Sequence, residues 1–424
     1  MLYERWCRIA AERSQEVALR DLATGRRWTF AELHAVGEGT PSTGDLMHPQ
    51  GHTPEFVFTL LAAWRTGKVA CPIEPGQSAP SVPVPPAACI HLKLTSATTG
   101  QPRLVAFTGA QLAADADNIL ATMGLRPDWP NLGVISMAHS YGFSNLVLPL
   151  LLHGIPLILA PTPLPEAVRQ AAKVEPALTL AAVPALWRAW HEADAIPPGV
   201  RLAISAGAPL PVELEQAVFK SCGLKIHNFY GATECGGIAY DESGTPRTDE
   251  AFVGSPLRNV RISVSDDGCL VVQSRAVGQS YWPEPADSLG EGRFRTSDLV
   301  ELQESGVFLR GRVSDQINVA GRKVSPVVIE QVLRQHEAVN GCLVFGVPST
   351  DVDRGETIVA CVEVQSPIGA DPLRHFLHER LPAWQVPREW WFVDSLRANL
   401  RGKISRRHWR EQFLRRHACP SQAP

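Results

Sequence analysis

From Leu104 to Pro211 the chain alternates short, mostly apolar runs with longer mixed stretches. The runs Val134–Met137, Ile155–Leu159, Leu178–Ala182 and Leu202–Ser205 predict buried strands, and the stretches between them predict helices. Such alternation implies parallel sheet with helices packed on its faces. Ahead of it, the pattern predicts a helix over Leu2–Arg13, a strand pair near Val17–Leu22 and Trp28–Phe30, loop over much of Gly37–Gln50, and a helix over Glu55–Thr66. A stretch from Cys71 to Ala88 carries six prolines and predicts a connector, since proline removes a backbone donor and breaks both helix and central strand. After Gly254 the pattern shortens to strands and turns (Val260–Val264, Cys269–Gln273, Val307–Arg310), which predicts a small antiparallel or barrel-like unit. From Val324 a helix over Pro326–Gln335, strands over Cys342–Val347 and Ile358–Val364, a helix over Pro372–Arg380 and a basic terminal helix predict a compact α+β module.

Composition narrows the picture. The chain has 424 residues, of which 45% are hydrophobic and 20% charged, enough for a large core divided among domains. A formal net charge of −3 provides no positive field for nucleic acid, so small-molecule chemistry is expected and nucleic acid is not an expected partner. Nine cysteines without a CxxC pair fit reduced thiols and a cytoplasmic location better than disulfides or zinc. The most apolar run, Phe143–Pro161, contains Pro149, His153, Gly154 and Pro156, which predicts a buried helix followed by a strand and no membrane span.

Candidate chemistry begins at Leu92–Val105, LKLTSATTGQPRLV, where a strand leads into hydroxyls and a glycine, then a proline and a cation. Short hydroxyl side chains and close-approaching N–H groups suit a polyphosphate. The Lys-Ser or Lys-Thr of a P-loop is absent, and such clusters also form plain turns. Downstream, Asn228–Gly237 reads NFYGATECGG: Tyr230 could stack on a base, Gly231 permits close approach, and Thr233 and Glu234 offer a hydroxyl and a carboxylate to a phosphate and its Mg²⁺. FRTSDL at Phe294–Leu299 places Asp298 where a carboxylate would hold two ribose hydroxyls. GRVSDQINVAG begins at Gly311, and NLRGKISRR at Asn399 ends the set with a Gly-Lys pair.

In this order and spacing, the five segments resemble the adenylate-forming superfamily of acyl- and aryl-CoA synthetases, firefly-type luciferases and peptide-synthetase adenylation domains. The similarity runs from Leu94 to Arg407. It implies a large N-terminal α/β domain of mixed and parallel sheets with a small barrel-like β unit over residues 1–311, a hinge over 312–315 and a small mobile α+β domain over 316–424. It also implies roles. The loop containing Thr95, Ser96, Thr98, Thr99, Gly100 and Arg103 would hold ATP phosphates. Gly207, Ala208 and Pro209 would line the adenine site with Asn228, Phe229, Tyr230 and Gly231. Thr233 would meet the α-phosphate and Glu234 would place Mg²⁺, with Asp298 on the ribose and Arg312 near ribose and phosphate. Lys403 would bridge the attacking carboxylate and the α-phosphate. The hinge position falls on Ser314, where most members carry Asp or Lys.

The branch is narrowed by AHSYGFS at Ala138–Ser144, similar to the segment lining the acyl pocket of fatty acyl and aryl ligases, which places His139 and Tyr141 in that pocket. The Asp expected of an amino-acid-activating domain is absent here, and Val-Ser-Pro at Val324–Pro326 also resembles the acyl and aryl ligases. The expected reaction is activation of a fatty or aryl acid to acyl-AMP with ATP and Mg²⁺, then transfer to a thiol. CoA is the leading acceptor and a phosphopantetheinyl acyl carrier protein the alternative; a degenerate nucleotide-binding module is the rival from another class. Departures from the family pattern are Ala97, Arg103, Ala206, Ser297 and a shortened region ahead of Thr95. The arginines of the last segment, Arg406, Arg407 and Arg410 among them, fit either a solvated helix face or a dock for an acidic acyl carrier protein or the phosphate of CoA.

Overall fold

The computed structural model describes residues 1–80, 83, 85–95, 103–349, 355–396 and 404–418. Its largest sheet has a parallel half. Strands Val17–Asp21, Leu157–Leu159, Asn131–Gly133, Leu178–Ala182, Val200–Ser205 and Ile226–Ala232 lie side by side in that order, all parallel. They are nearly continuous in apolar residues because helices cover both faces. Leu178, Leu180, Ala182, Ala203 and Ile204 are all essentially inaccessible. Beyond Ile226–Ala232 the same hydrogen-bonded path turns antiparallel, through Gly236–Tyr240, Phe252–Pro256, Gly306–Arg312, Arg293–Gln303, Cys269–Gln273 and Arg261–Val264. The short strands expected after Gly254 thus extend the large sheet.

A second sheet joins Leu46–Met47, Val69–Ala70, His91–Leu94, Leu104–Phe107 and Ser280–Trp282. The phosphate-type loop leaves this sheet from His91–Leu94 and returns into Leu104–Phe107. The helix after it, Gly109–Met123, starts at a capping box in which Thr108 and Gln111 exchange side-chain and backbone hydrogen bonds, and stops at Gly124 with φ +69°.

Three local expectations are corrected. Phe30–Gly39 is a helix, capped by Thr29 and Glu32 in a second capping box, where strand end and loop were expected. Parallel pairing with Leu157–Leu159 confines the next strand to Asn131–Gly133, and the apolar run Val134–Met137 continues past it as irregular wall. The expected buried helix before Gly154 is interrupted by a π-helical turn over Phe143–Val147.

The apolar core of the N-terminal region reaches Val307, with Leu309 packed against it, and a separate cluster begins at Ile317. The C-terminal elements are strands Val339–Pro348, Glu356–Val364 and Glu389–Val393, covered by helices Pro326–Arg334, Ala370–His378 and Arg406–Ala418. Arg334 reaches across to Glu250 at 2.6 Å. The solvated-face reading of the terminal helix fails at Arg406. It is ion-paired with Asp315 at 2.5 Å and Glu330 at 2.7 Å and donates to the Val344 carbonyl. No helix among the described residues is long and apolar enough to cross a membrane.

Candidate active site

Ligands of open α/β sheets bind outside the carboxyl ends of the parallel strands, and that is where this molecule has a cavity of about 850 Å³. Val183 follows Leu178–Ala182, Ala206 and Gly207 follow Val200–Ser205, and Thr233 follows Ile226–Ala232; all line it. Gly207 turns the chain there with φ +86°, a conformation that costs glycine little. A β-carbon on Gly231 would lie 2.7 Å from the Gly236 carbonyl, so only glycine allows that close strand approach.

Tyr141, from the segment assigned to the acyl pocket, lies against the same strand ends. Its hydroxyl donates toward Ile204 O at 3.2 Å and Ala182 O at 3.4 Å, and its ring packs 6.1 Å from Phe229. Burial first of all pushes its pKa far up, which keeps it a neutral donor. His139 also lines the cavity, with its Nε2 2.9 Å from Glu74 Oε1, and Ser136 Oγ donates to the same oxygen at 2.5 Å. His139 is about one third exposed, so it is a wall residue and not a core histidine.

The neck of the phosphate-type loop is closed by two hydrogen bonds: Thr95 N donates to Arg103 O at 2.8 Å, and Arg103 N donates to Thr95 Oγ1 at 2.9 Å. Ser96, Thr98, Thr99 and Gly100, with Ala97, lie outside the described residues, as does Lys403. Arg103 places its guanidinium 3.5 Å above the Tyr281 ring and donates to Glu284 O at 2.9 Å. The Tyr281 hydroxyl in turn donates to Glu234 Oε1 at 3.0 Å. Burial, the leading cause, raises the Glu234 pKa against the lowering effect of that hydrogen bond.

Asp298 and Arg312 are cross-strand neighbours. The guanidinium Nε donates to Oδ1 at 2.7 Å, while the Tyr230 hydroxyl donates to Oδ2 at 2.5 Å. Proximity of Asp298, ahead of other causes, raises the Arg312 pKa, and burial raises that of Tyr230. The carboxylate is therefore held between a permanent cation and a neutral phenol. Asn228 lies behind the wall with its amide donating to Phe252 O at 3.4 Å; Ala208 is half-buried and Pro209 exposed in the turn that follows Gly207. Ser314 is exposed in the turn Val313–Asp315, its hydroxyl 3.3 Å from Asp315 Oδ1.

Beneath the floor lies a charged pair that sequence reasoning missed. Lys93 Nζ is 3.8 Å from Asp115 Oδ2, with both side chains 3% exposed. Asp115 also accepts from Ser144 Oγ at 2.6 Å and from Gly237 N at 3.0 Å, and Ser144 and Gly237 line the cavity. Tyr281 and Glu74 were missed as well. Tyr281 carries no local signal, whereas Glu74 had one: it is the only charged residue in the connector Cys71–Ala88.

Comparison with known proteins agrees with this architecture. Residues 77–282 match the model of the AMP-binding enzyme family, and residues 328–403 match that of the AMP-binding enzyme C-terminal domain. The chain is 29% identical over 391 residues to a feruloyl-CoA synthase from Amycolatopsis sp, covering 85% of this chain and 78% of that protein. It is 27% identical over 334 residues to a 2-succinylbenzoate–CoA ligase of Bacillus cereus (strain ZK / E33L), covering 75% and 68%. Among solved structures, ATP-bound MatB from Rhodopseudomonas palustris superimposes with a TM-score of 0.84 at 20% identity, covering 97% of this chain and 99% of that one. The o-succinylbenzoate CoA synthetase of Bacillus subtilis, in complex with its acyl-adenylate, gives 0.80 at 21% identity, covering 96% and 97%.

Proposed function

The chain belongs to the AMP-binding enzyme family, and on that premise we propose that it ligates a carboxylic acid lacking an α-amino group to a thiol through an acyl-AMP. A carboxylate oxygen of the acid attacks the α-phosphorus of ATP, the bond from that phosphorus to the bridging oxygen breaks, and pyrophosphate departs. The thiol sulfur, of CoA in the first instance, then attacks the acyl carbon; AMP leaves with the bonding pair and the thiol proton passes to solvent.

The observation that carries this proposal is the contact chain Arg103, Tyr281, Glu234. It ties the neck of the phosphate-type loop to the motif glutamate, so three distant segments converge on one place suited to a polyphosphate. Thr233 would contact the α-phosphate from the end of its strand. Asp298, already aligned by Arg312 and Tyr230, would take the ribose hydroxyls. Glu234 is a half-buried carboxylate whose burial opposes its charge, and a cation beside it would offset that cost, so the donor set fits Mg²⁺ shared with phosphate oxygens. Glu234 would hold the ion, which when bound supplies charge neutralisation at the phosphates. For Lys403 the sequence motif supports a cation between the two reacting anions. The break between the apolar cluster that Leu309 borders and the one that starts at Ile317 supports a hinge at 312–315 and rotation of 316–424 between the two steps.

The test is pyrophosphate release with a panel of fatty, aryl and amino acids, supplying CoA, an acyl carrier protein or an amine in turn. Acid-dependent release that falls at least hundredfold in Lys403→Ala, with no response to amino acids, is expected. Nucleotide binding without release for any acid would instead favour a non-catalytic binding module.

A further inference from the structure

Three separate walls of the cavity meet at one buried ion pair beneath it. Lys93 comes from strand His91–Leu94, whose last residue lines the cavity and leads into the neck of the phosphate-type loop at Thr95. Its Nζ lies 3.5 Å from Ser140 Oγ and 3.4 Å from Ser144 Oγ. Both serines line the cavity, in the segment that carries His139 and Tyr141. Asp115, on helix Gly109–Met123 and 3.8 Å from Nζ, accepts from Ser144 Oγ at 2.6 Å and from Gly237 N at 3.0 Å. Gly237 belongs to strand Gly236–Tyr240, which pairs with Ile226–Ala232 across the turn that holds Thr233 and Glu234. A β-carbon on Gly236 would sit 2.0 Å from Asp115 Oδ1, so the carboxylate is pressed against the first residue of that strand. Both charged side chains are 3% exposed, and neither lines the cavity.

We propose that Lys93 and Asp115 are a positioning pair, which holds the wall carrying His139 and Tyr141 in register with the Thr233 turn so that a bound acid and the α-phosphate of ATP meet in line. The inference rests on the ligase activity proposed above and adds residues that touch neither reactant. A charged pair suits this task better than apolar packing. Apolar contacts are non-directional, whereas the ammonium and the carboxylate each hold partners from different segments in set directions. A buried ion pair contributes little net stability against an apolar replacement, so stability alone does not account for one at this junction. Misplacing reacting groups by about 1 Å costs roughly hundredfold in rate, while each reactant alone still finds its own side of the cavity intact.

The test separates joining the two reactants from binding each one. Lys93→Met with Asp115→Ala leaves no buried charge at the junction, and Ser144→Ala removes one link while keeping the ion pair. For these variants and the unaltered full-length chain, equilibrium dialysis gives Kd for AMP, for cinnamate and dodecanoate, and for the joined mimics N-cinnamoyl- and N-dodecanoyl-sulfamoyl adenosine. Pyrophosphate release gives kcat and KM for the same acids, at a temperature where tryptophan fluorescence shows each protein folded. Both variants should keep AMP and acid affinity within about twofold. Mimic affinity and kcat should each fall at least about tenfold in the double variant and about fivefold in Ser144→Ala, with KM little changed. Lys93→Met with Asp115→Asn restores an acceptor for Gly237 N and should regain part of both losses. If the double variant does not fold, Ser144→Ala carries the same expectation. A purely structural role predicts mimic affinity and kcat unchanged in folded protein. That result overturns the inference, as do AMP or acid affinities that fall as far as mimic affinity, or an unaltered protein that binds neither mimic more tightly than AMP. No pyrophosphate from any acid, with the mimic losses as expected, refutes the ligase activity and upholds the positioning role.

Discussion

Replacing Asp115 with alanine would strand the Lys93 ammonium inside the protein. The pair is separated by 3.8 Å, and at the effective dielectric of about 20 that suits buried sites, Coulomb's law gives about 4 kcal/mol. That figure agrees with the roughly 3 to 5 kcal/mol typical of removing one partner of a buried pair. Lys93 has little else to turn to. The Ser140 and Ser144 hydroxyls are 3.5 and 3.4 Å away, and the Phe107 and Phe143 ring centroids 4.8 and 5.5 Å. Urea unfolding followed by tryptophan fluorescence should therefore show Asp115→Ala destabilised by about 4 kcal/mol. Lys93→Met combined with Asp115→Ala should recover at least half, because no charge is then buried.

The pH dependence gives a second signature. Burial, the leading cause, lowers the Lys93 pKa below its ordinary 10.5, and Asp115 acts to raise it. Between the lowered folded value and 10.5 the unfolded chain holds the extra proton, so stability from this group rises with pH and levels off above 10.5. Without Asp115 the folded value falls further, so the rise begins at lower pH and is larger. A loss of under about 1 kcal/mol in Asp115→Ala, or a double variant less stable than the single one, would refute the argument.

Other expectations follow from the same geometry. Tyr281→Phe keeps the ring beneath Arg103 but removes the donor to Glu234; kcat/KM for pyrophosphate release should fall about tenfold, as a lost hydrogen bond to a charge predicts. Because that hydrogen bond lowers the Glu234 pKa, the acid limb of the pH–rate profile should move to higher pH in the same variant. Gly236→Ala would place a β-carbon 2.0 Å from Asp115 Oδ1 at φ +71°, and thermal unfolding should show a loss of at least about 2 kcal/mol. Arg406→Ala breaks ion pairs to Asp315 and Glu330; the C-terminal module should lose about 3 kcal/mol, read as earlier proteolysis, and a change confined to acceptor KM would contradict its structural assignment.

Much of the fold was legible because its signals are local. The strands Leu178–Ala182 and Cys269–Gln273 were placed to the residue, and the turn after Val200–Ser205 carries Gly207. Errors came where a local rule met a tertiary constraint. The helix Phe30–Gly39 contains two glycines, which lower helix propensity, yet the Thr29 and Glu32 capping box was present in the sequence to be found. The strand near Asn131 was displaced because hydrogen-bond partners, not apolar character, fix where a parallel strand ends.

The sequence by itself determined the motif set: loop, NFYGATE, Asp298, Arg312 and the terminal Gly-Lys come in a fixed order, and each needs only its own neighbours to be recognised. Only the tertiary structure decided what those residues touch. Arg103 resting on Tyr281, Glu74 paired with His139, and Lys93 buried against Asp115 join positions far apart in the chain. Their energies depend on separation in space and on exclusion of water, and neither quantity can be read from sequence spacing.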